Sequence, residues 1–80
     1  MSVKALARIQ EIYWSSSTEF TCDVRYVYFD NSQNQGTIEG LGPFTAGIAQ
    51  LTLENSIKDS VKDYLSIGAL DTVRLLGATL

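Results

Sequence analysis

The sequence predicts an α+β domain: an antiparallel β-hairpin plus short strands, with one amphipathic helix packed on one face, in the order β-β-(β)-α-β. Three runs carry this. Glu19 to Asp30 reads Glu-Phe-Thr-Cys-Asp-Val-Arg-Tyr-Val-Tyr-Phe-Asp, an aromatic and β-branched alternation that only a strand accommodates. Leu53, Ile57, Val61, Tyr64 and Leu65 recur at helical spacing. Asp71 to Gly77 gives a final short strand with Val73 and Leu75 on one side.

Val3 to Trp14 fits two periods. On a helical wheel Ala5, Leu6, Ile9, Ile12 and Tyr13 gather opposite Lys4, Arg8 and Glu11, whereas a period of two aligns Val3, Ala5, Ala7, Ile9 and Tyr13. The strand is favoured because Ser15 to Thr18 is a polar spacer of hairpin size between runs of nearly equal length. Folding there pairs Tyr13 with Phe20, Ile9 with Val24 and Ala7 with Tyr26, so the apolar faces coincide. This register has two costs: Arg8 stands opposite Arg25, and Glu11 lies beside Cys22 on the inner face.

In the second strand Phe20, Cys22, Val24, Tyr26 and Tyr28 share one face. Thr21, Asp23 and Arg25 hold the other until Val27 and Phe29 make it apolar again. Asn31 to Gly36 is a loop by composition, with Gly36 suited to a positive φ. Thr37 to Glu39 is expected as a short edge strand, ended by Gly40, Gly42 and Pro43. Phe44 to Thr52 suits strand and early helix equally. Thr52 is then placed as the N-cap of the helix, Glu54 in its first turn pairs with Lys58, and Gly68 stops it.

Eighty residues make one domain, residues 1–80, near the size at which a single core needs help from association. A hydrophobic share of 45% with net charge −3 places the chain among folded proteins rather than disordered ones. Six bases dispersed among nine acids do not favour nucleic acid, and no apolar run is long enough to span a bilayer. Neither partner is expected. Met1 to Trp14 carries Lys4, Arg8 and Glu11 throughout, unlike a signal peptide.

No residue set amounts to a catalytic, metal or cofactor signature, so no enzyme and no cofactor are expected. Histidine is absent, which leaves Ser15, Ser16, Ser17 and Thr18 without a base to activate them. Glu11 is the one carboxylate with an expected raised pKa, set against the simpler reading of a strand-edge acid reaching water. Cys22 reads as a small buried hydrophobe, with an intermolecular bridge or reactive thiol as the alternative. The glycines at 36, 40, 42 and 47 lack the lysine of a phosphate loop, and Asp59 with Asp63 lacks further calcium ligands. Lys4, Arg8 and Arg25 beside Trp14 would suit a nucleic-acid strand, against the overall acidity.

One helical stripe shields one sheet face, and the other face should then be polar. In the expected register it carries Leu6, Ile12, Trp14, Val27 and Phe29 among Lys4, Arg8, Gln10, Thr21, Asp23 and Arg25. Exposed apolar surface on the order of several hundred Å² marks an interaction site. Leu6, Ile12, Trp14, Arg25, Val27 and Phe29 are therefore the candidate interface, unless Phe44 to Thr52 folds over them.

With its hairpin from Ala5 to Phe29, its helix from Leu53 to Leu65 and its last strand from Thr72 to Leu76, the chain resembles the small acidic single-domain proteins of tailed bacteriophages. The resemblance is one of arrangement. It implies a structural protein of the virion, capsid-decorating or tail-associated, made in the host cytoplasm and bound to copies of itself or to larger virion proteins. The alternative it implies is an inhibitor of a host defence complex. Acidic mimicry of a phosphate backbone is disfavoured there, because Glu54, Lys58, Asp59, Lys62 and Asp63 alternate in sign.

Overall fold

In the computed structural model, which describes residues 3–29 and 33–77, the elements run β1 (Lys4–Trp14), β2 (Glu19–Phe29), β3 (Gln35–Thr45), α1 (Gln50–Leu65) and β4 (Thr72–Gly77). The strands form one mixed sheet in the order β3-β2-β1-β4. β2 is antiparallel to both its neighbours, and β4 is parallel to β1. The fold is α+β, as the periodicities predict. Asn31 and Ser32 of the expected loop, and Asp30 at the end of the expected strand, lie outside the described residues.

Residues 3–14 take the strand alternative. The hairpin turns where the spacer predicts, and Ser16 closes it by accepting hydrogen bonds at Oγ from the N–H groups of Thr18 (3.2 Å) and Glu19 (3.1 Å). Ala7 faces Tyr26, Arg8 faces Arg25 and Ile9 faces Val24, as expected. Beyond Ile9 the register shifts. Gln10 is an extra residue on β1, so that Glu11 faces Asp23, Ile12 faces Cys22, Tyr13 faces Thr21 and Trp14 faces Phe20. A bulge of one residue inverts the alternation of every side chain after it. The expected pairing of Tyr13 with Phe20 and the inner-face position of Glu11 are thereby corrected.

β3 is longer than the expected Thr37 to Glu39, because two irregularities absorb the glycines and the proline. Ile38, Leu41 and Phe44 lie opposite Val24, Cys22 and Phe20, so three residues of β3 match each two of β2. All three reach the core despite a spacing that does not read as a strand. Gly40 and Gly42 hold positive φ of 65° and 137°, and the Gly42–Pro43 peptide is cis. An edge strand tolerates such breaks, since one side of it makes no ladder. Gly36 lies inside β3 opposite Tyr26 without a positive φ; Gln33 has one instead, at 52°.

The core lies between α1 and the inner sheet face. Ala5, Ala7 and Ile9 of β1, the alternate residues Phe20 to Tyr28 of β2, and Val73 of β4 meet Leu53, Ile57 and Val61 of the helix. Small residues on β1 stand beside large ones on β2: Ala5 faces Tyr28 and Ala7 faces Tyr26. Each fully buried aliphatic side chain of the helix contributes about 1.5–3 kcal/mol.

The helix differs from expectation at both ends. Ala49 is its N-cap and makes no side-chain hydrogen bond, so Thr52 lies within the first turn rather than ahead of it. Ser66, in the left-handed region at φ 54°, ends it before Gly68, with the Ile67 N–H returning to the Lys62 carbonyl at 3.1 Å. Glu54 and Lys58 do not pair with each other. Glu54 Oε1 accepts from Gln50 Nε2 (3.1 Å) and, less closely, from the Leu75 N–H (3.4 Å), while Lys58 Nζ donates to the Asp71 carbonyl (3.1 Å). Lys58 thus reaches the residue before β4, and Glu54 the middle of β4.

Candidate interaction surface

Period-two alternation from the buried residues assigns the outer sheet face row by row. Thr72, Lys4 and Phe29 form one row across β4, β1 and β2. Arg74, Leu6 and Val27 form the next, with Gln35 of β3, and then come Leu76, Arg8 and Arg25, with Thr37. Past the bulge the rows are Glu11 with Asp23, then Tyr13 with Thr21, and Glu19 lies two residues further on β2. No described element packs over these rows. Phe44 instead meets Phe20 in the core, their ring centroids 5.6 Å apart.

Leu6 (41% exposed), Phe29 (41%), Tyr13 (45%) and Leu76 (47%) leave this face partly apolar. Its charge is segregated. Lys4, Arg8, Arg25 and Arg74 occupy the end near Phe29, whereas Glu11, Asp23 and Glu19 occupy the end near the hairpin turn. None of the four cations has a side-chain partner among the described residues. Arg8 directly opposite Arg25 is a like-charge cross-strand pair, which costs stability in an isolated sheet.

At the acidic end the Tyr13 hydroxyl donates toward Glu11 Oε2 (2.9 Å) and lies 3.1 Å from Asp23 Oδ2. Hydrogen bonding to Glu11 first, then to Asp23, with the negative charge of both, pushes the phenol up to about 12. Asp23 also accepts the Gly40 N–H at 3.0 Å, tying β2 to the irregular part of β3.

Of the sequence-predicted interface residues, Leu6, Arg25, Val27 and Phe29 come together on this face. Ile12 and Trp14 do not. The Gln10 bulge turns them to the side of the core, where Ile12 packs partly buried and the Trp14 ring lies 5.2 Å from that of Phe20. Arg74, Leu76 and Tyr13 join the face unforeseen. Arg74 and Leu76 were readable as outward from Val73 and Leu75, but nothing in the sequence says that β4 lies beside β1.

Glu11, Cys22 and Ser16 are not placed as the chemical readings of them require. Glu11 is exposed, not on the inner face. Burial, with the Asp23 charge, pushes the Cys22 thiol up to about 11, opposite to what a reactive thiolate needs. Ser16 spends its hydroxyl oxygen on the turn. Among the described residues no group of three or more Cys, Asp or Glu side chains is placed to hold a metal ion. Among the described residues no helix is long and apolar enough to cross a membrane. Comparison of the chain with protein-family models, curated proteins and solved structures finds no match.

Proposed function

We propose that this chain is a non-enzymatic structural protein that assembles through the outer face of its sheet, as a component of a tailed-phage particle. The single observation that carries the assembly reading is the uncovered face itself, where Leu6 and Val27 stand side by side with Phe29 and Leu76 close by. A partner layer there would cover the sheet on both sides, as α1 already covers one. The virion setting rests on the arrangement of hairpin, helix and final strand.

Val27→Asp tests the reading at the centre of the face, since it adds a charge without touching the core side. Purified particles made with the wild-type chain should contain it by mass spectrometry. Particles made with V27D should lose it, while circular dichroism shows the variant folded. Wild-type particles that lack the protein would overturn the virion role, and a folded V27D that incorporates normally would overturn the role of this face.

A further inference from the structure

The order of charges along the outer face reads as its own complement. From the Phe29 end toward the turn, the β1–β2 ribbon presents Lys4 with Phe29, then Leu6 with Val27, then Arg8 with Arg25, then Glu11 with Asp23, then Tyr13 with Thr21, then Glu19. Reversed, the same series runs acid, aromatic, acid pair, cation pair, aliphatic pair, cation with aromatic. Resting on the assembly reading above, we propose that the occupant of this face is a second copy of the same chain, docked face to face about a two-fold axis that lies between the sheets and runs perpendicular to the strands.

Two isologous arrangements bring the faces together, and charge selects between them. An axis parallel to the strands sets cationic end on cationic end. An axis perpendicular to the strands keeps β1 over β1 and β2 over β2 with direction reversed, so that Arg8 meets Glu11 of the other copy and Arg25 meets Asp23. Each contact is made twice. Leu6 and Val27 then cover Tyr13 and Thr21 of the other copy, and Glu19 comes over Phe29, with Lys4 beside it on the neighbouring strand. The Arg8–Arg25 juxtaposition, unfavourable in one chain alone, gains two carboxylates.

The size is at the lower end of the standard range. Three strands of eleven residues and one of six, about 4.8 Å apart at about 3.3 Å per residue, span at most roughly 600 Å² in projection. A standard interface takes about 800 Å² from each partner. Two twisted sheets stack in this way at about 30°, giving four layers with a helix on each outside.

Single charge reversals at Arg8 and Glu11 test this. Both residues are exposed, and among the described residues the only side-chain partner of either is the Tyr13 hydroxyl on Glu11. By sedimentation equilibrium the wild-type chain should dimerise, and R8E and E11R alone should each weaken the dimer at least about tenfold, or about 1.4 kcal/mol. Mixed in equal amounts, the two variants should recover a heterodimer of near wild-type affinity, because every reversed charge then meets its opposite.

Melting curves on each variant check that the protomer folds. A wild-type chain that stays monomeric at about 1 mM, the weakest association this assay would register as specific, overturns the proposal. So does a dimer indifferent to both reversals, or one not restored by mixing. A monomer that instead retards an oligothymidylate in a mobility assay assigns the cations to a polyanion and overturns it too. Failure here with V27D still excluded from particles leaves the assembly reading standing with a different partner.

Discussion

Ile12 of β1 lies opposite Cys22 of β2, not opposite Thr21 as unbroken alternation would have it. The cause is the extra residue Gln10, and its effect is to bring Ile12 under the turn-side end of the core while Glu11 and Tyr13 turn outward beside Asp23. The bulge therefore sets both the end of the core and the acidic end of the outer face.

Deleting Gln10 should close the bulge and keep Glu11 opposite Asp23 and Ile12 inward opposite Cys22, because the residue removed is the unpaired one. The expected cost is less than about 1 kcal/mol, close to that of Gln10→Ala. Urea midpoints measure both. A loss of more than about 2 kcal/mol on deletion would mean that the extra residue lies elsewhere in β1.

Gly36 holds its place because Tyr26 lies across it: a side-chain carbon added there would sit 2.8 Å from the Tyr26 hydroxyl oxygen and 3.0 Å from the ring carbon that bears it. Tyr26 is buried and its ring meets Tyr64 edge-on at 6.0 Å, so it has little room to yield. Gly36→Ala should cost about 1–3 kcal/mol. Adding Tyr26→Phe should recover part of that loss. Strictly additive costs in the double variant would argue against the clash.

Ser66 sits in the left-handed region at the end of α1, where glycine carries no penalty for its side chain. Ser66→Gly should stabilise the fold by about 0.5–1 kcal/mol, raising the thermal midpoint. A lowered midpoint would show that the serine contributes something beyond its backbone.

Tyr13 should titrate near 12, well above the about 10 of a free tyrosine. Because the folded state favours the protonated phenol, its contribution is complete below about pH 10 and is lost as pH rises toward 12. Absorbance at alkaline pH, compared between the wild-type chain and Tyr13→Phe, isolates this group. A Tyr13 difference spectrum centred near 10 would count against the contacts of its hydroxyl with the two carboxylates.

Cys22 is fully buried, and its thiol is raised to about 11. The sign is the same: stability tied to the neutral thiol holds below its unfolded value of about 8.5 and is lost as pH climbs through 11. At neutral pH a disulfide reagent should modify the native protein only as fast as it opens. Immediate stoichiometric labelling without denaturant would place the thiol at the surface.

Much of the fold was legible from short-range pattern. The alternation from Phe20 to Tyr28 named the whole inner face of β2, and the spacing of Leu53, Ile57 and Val61 named the buried stripe of α1. Pairing through Ala7–Tyr26 and Ile9–Val24 followed from matching the two apolar faces. Of the interface set, Leu6, Arg25, Val27 and Phe29 were placed together because no irregularity intervenes among them.

The amino-acid order alone determined these because a strand or helix period is a local property, written in the side chains of a single run. Only the tertiary structure decided that Gln10 bulges, that Ile38, Leu41 and Phe44 point the same way, and that β4 settles beside β1 to add Arg74 and Leu76 to the outer face. Each of those depends on contacts between segments distant in the chain: one extra residue reverses which side chains a neighbour meets, and packing across the whole sheet selects where that residue goes.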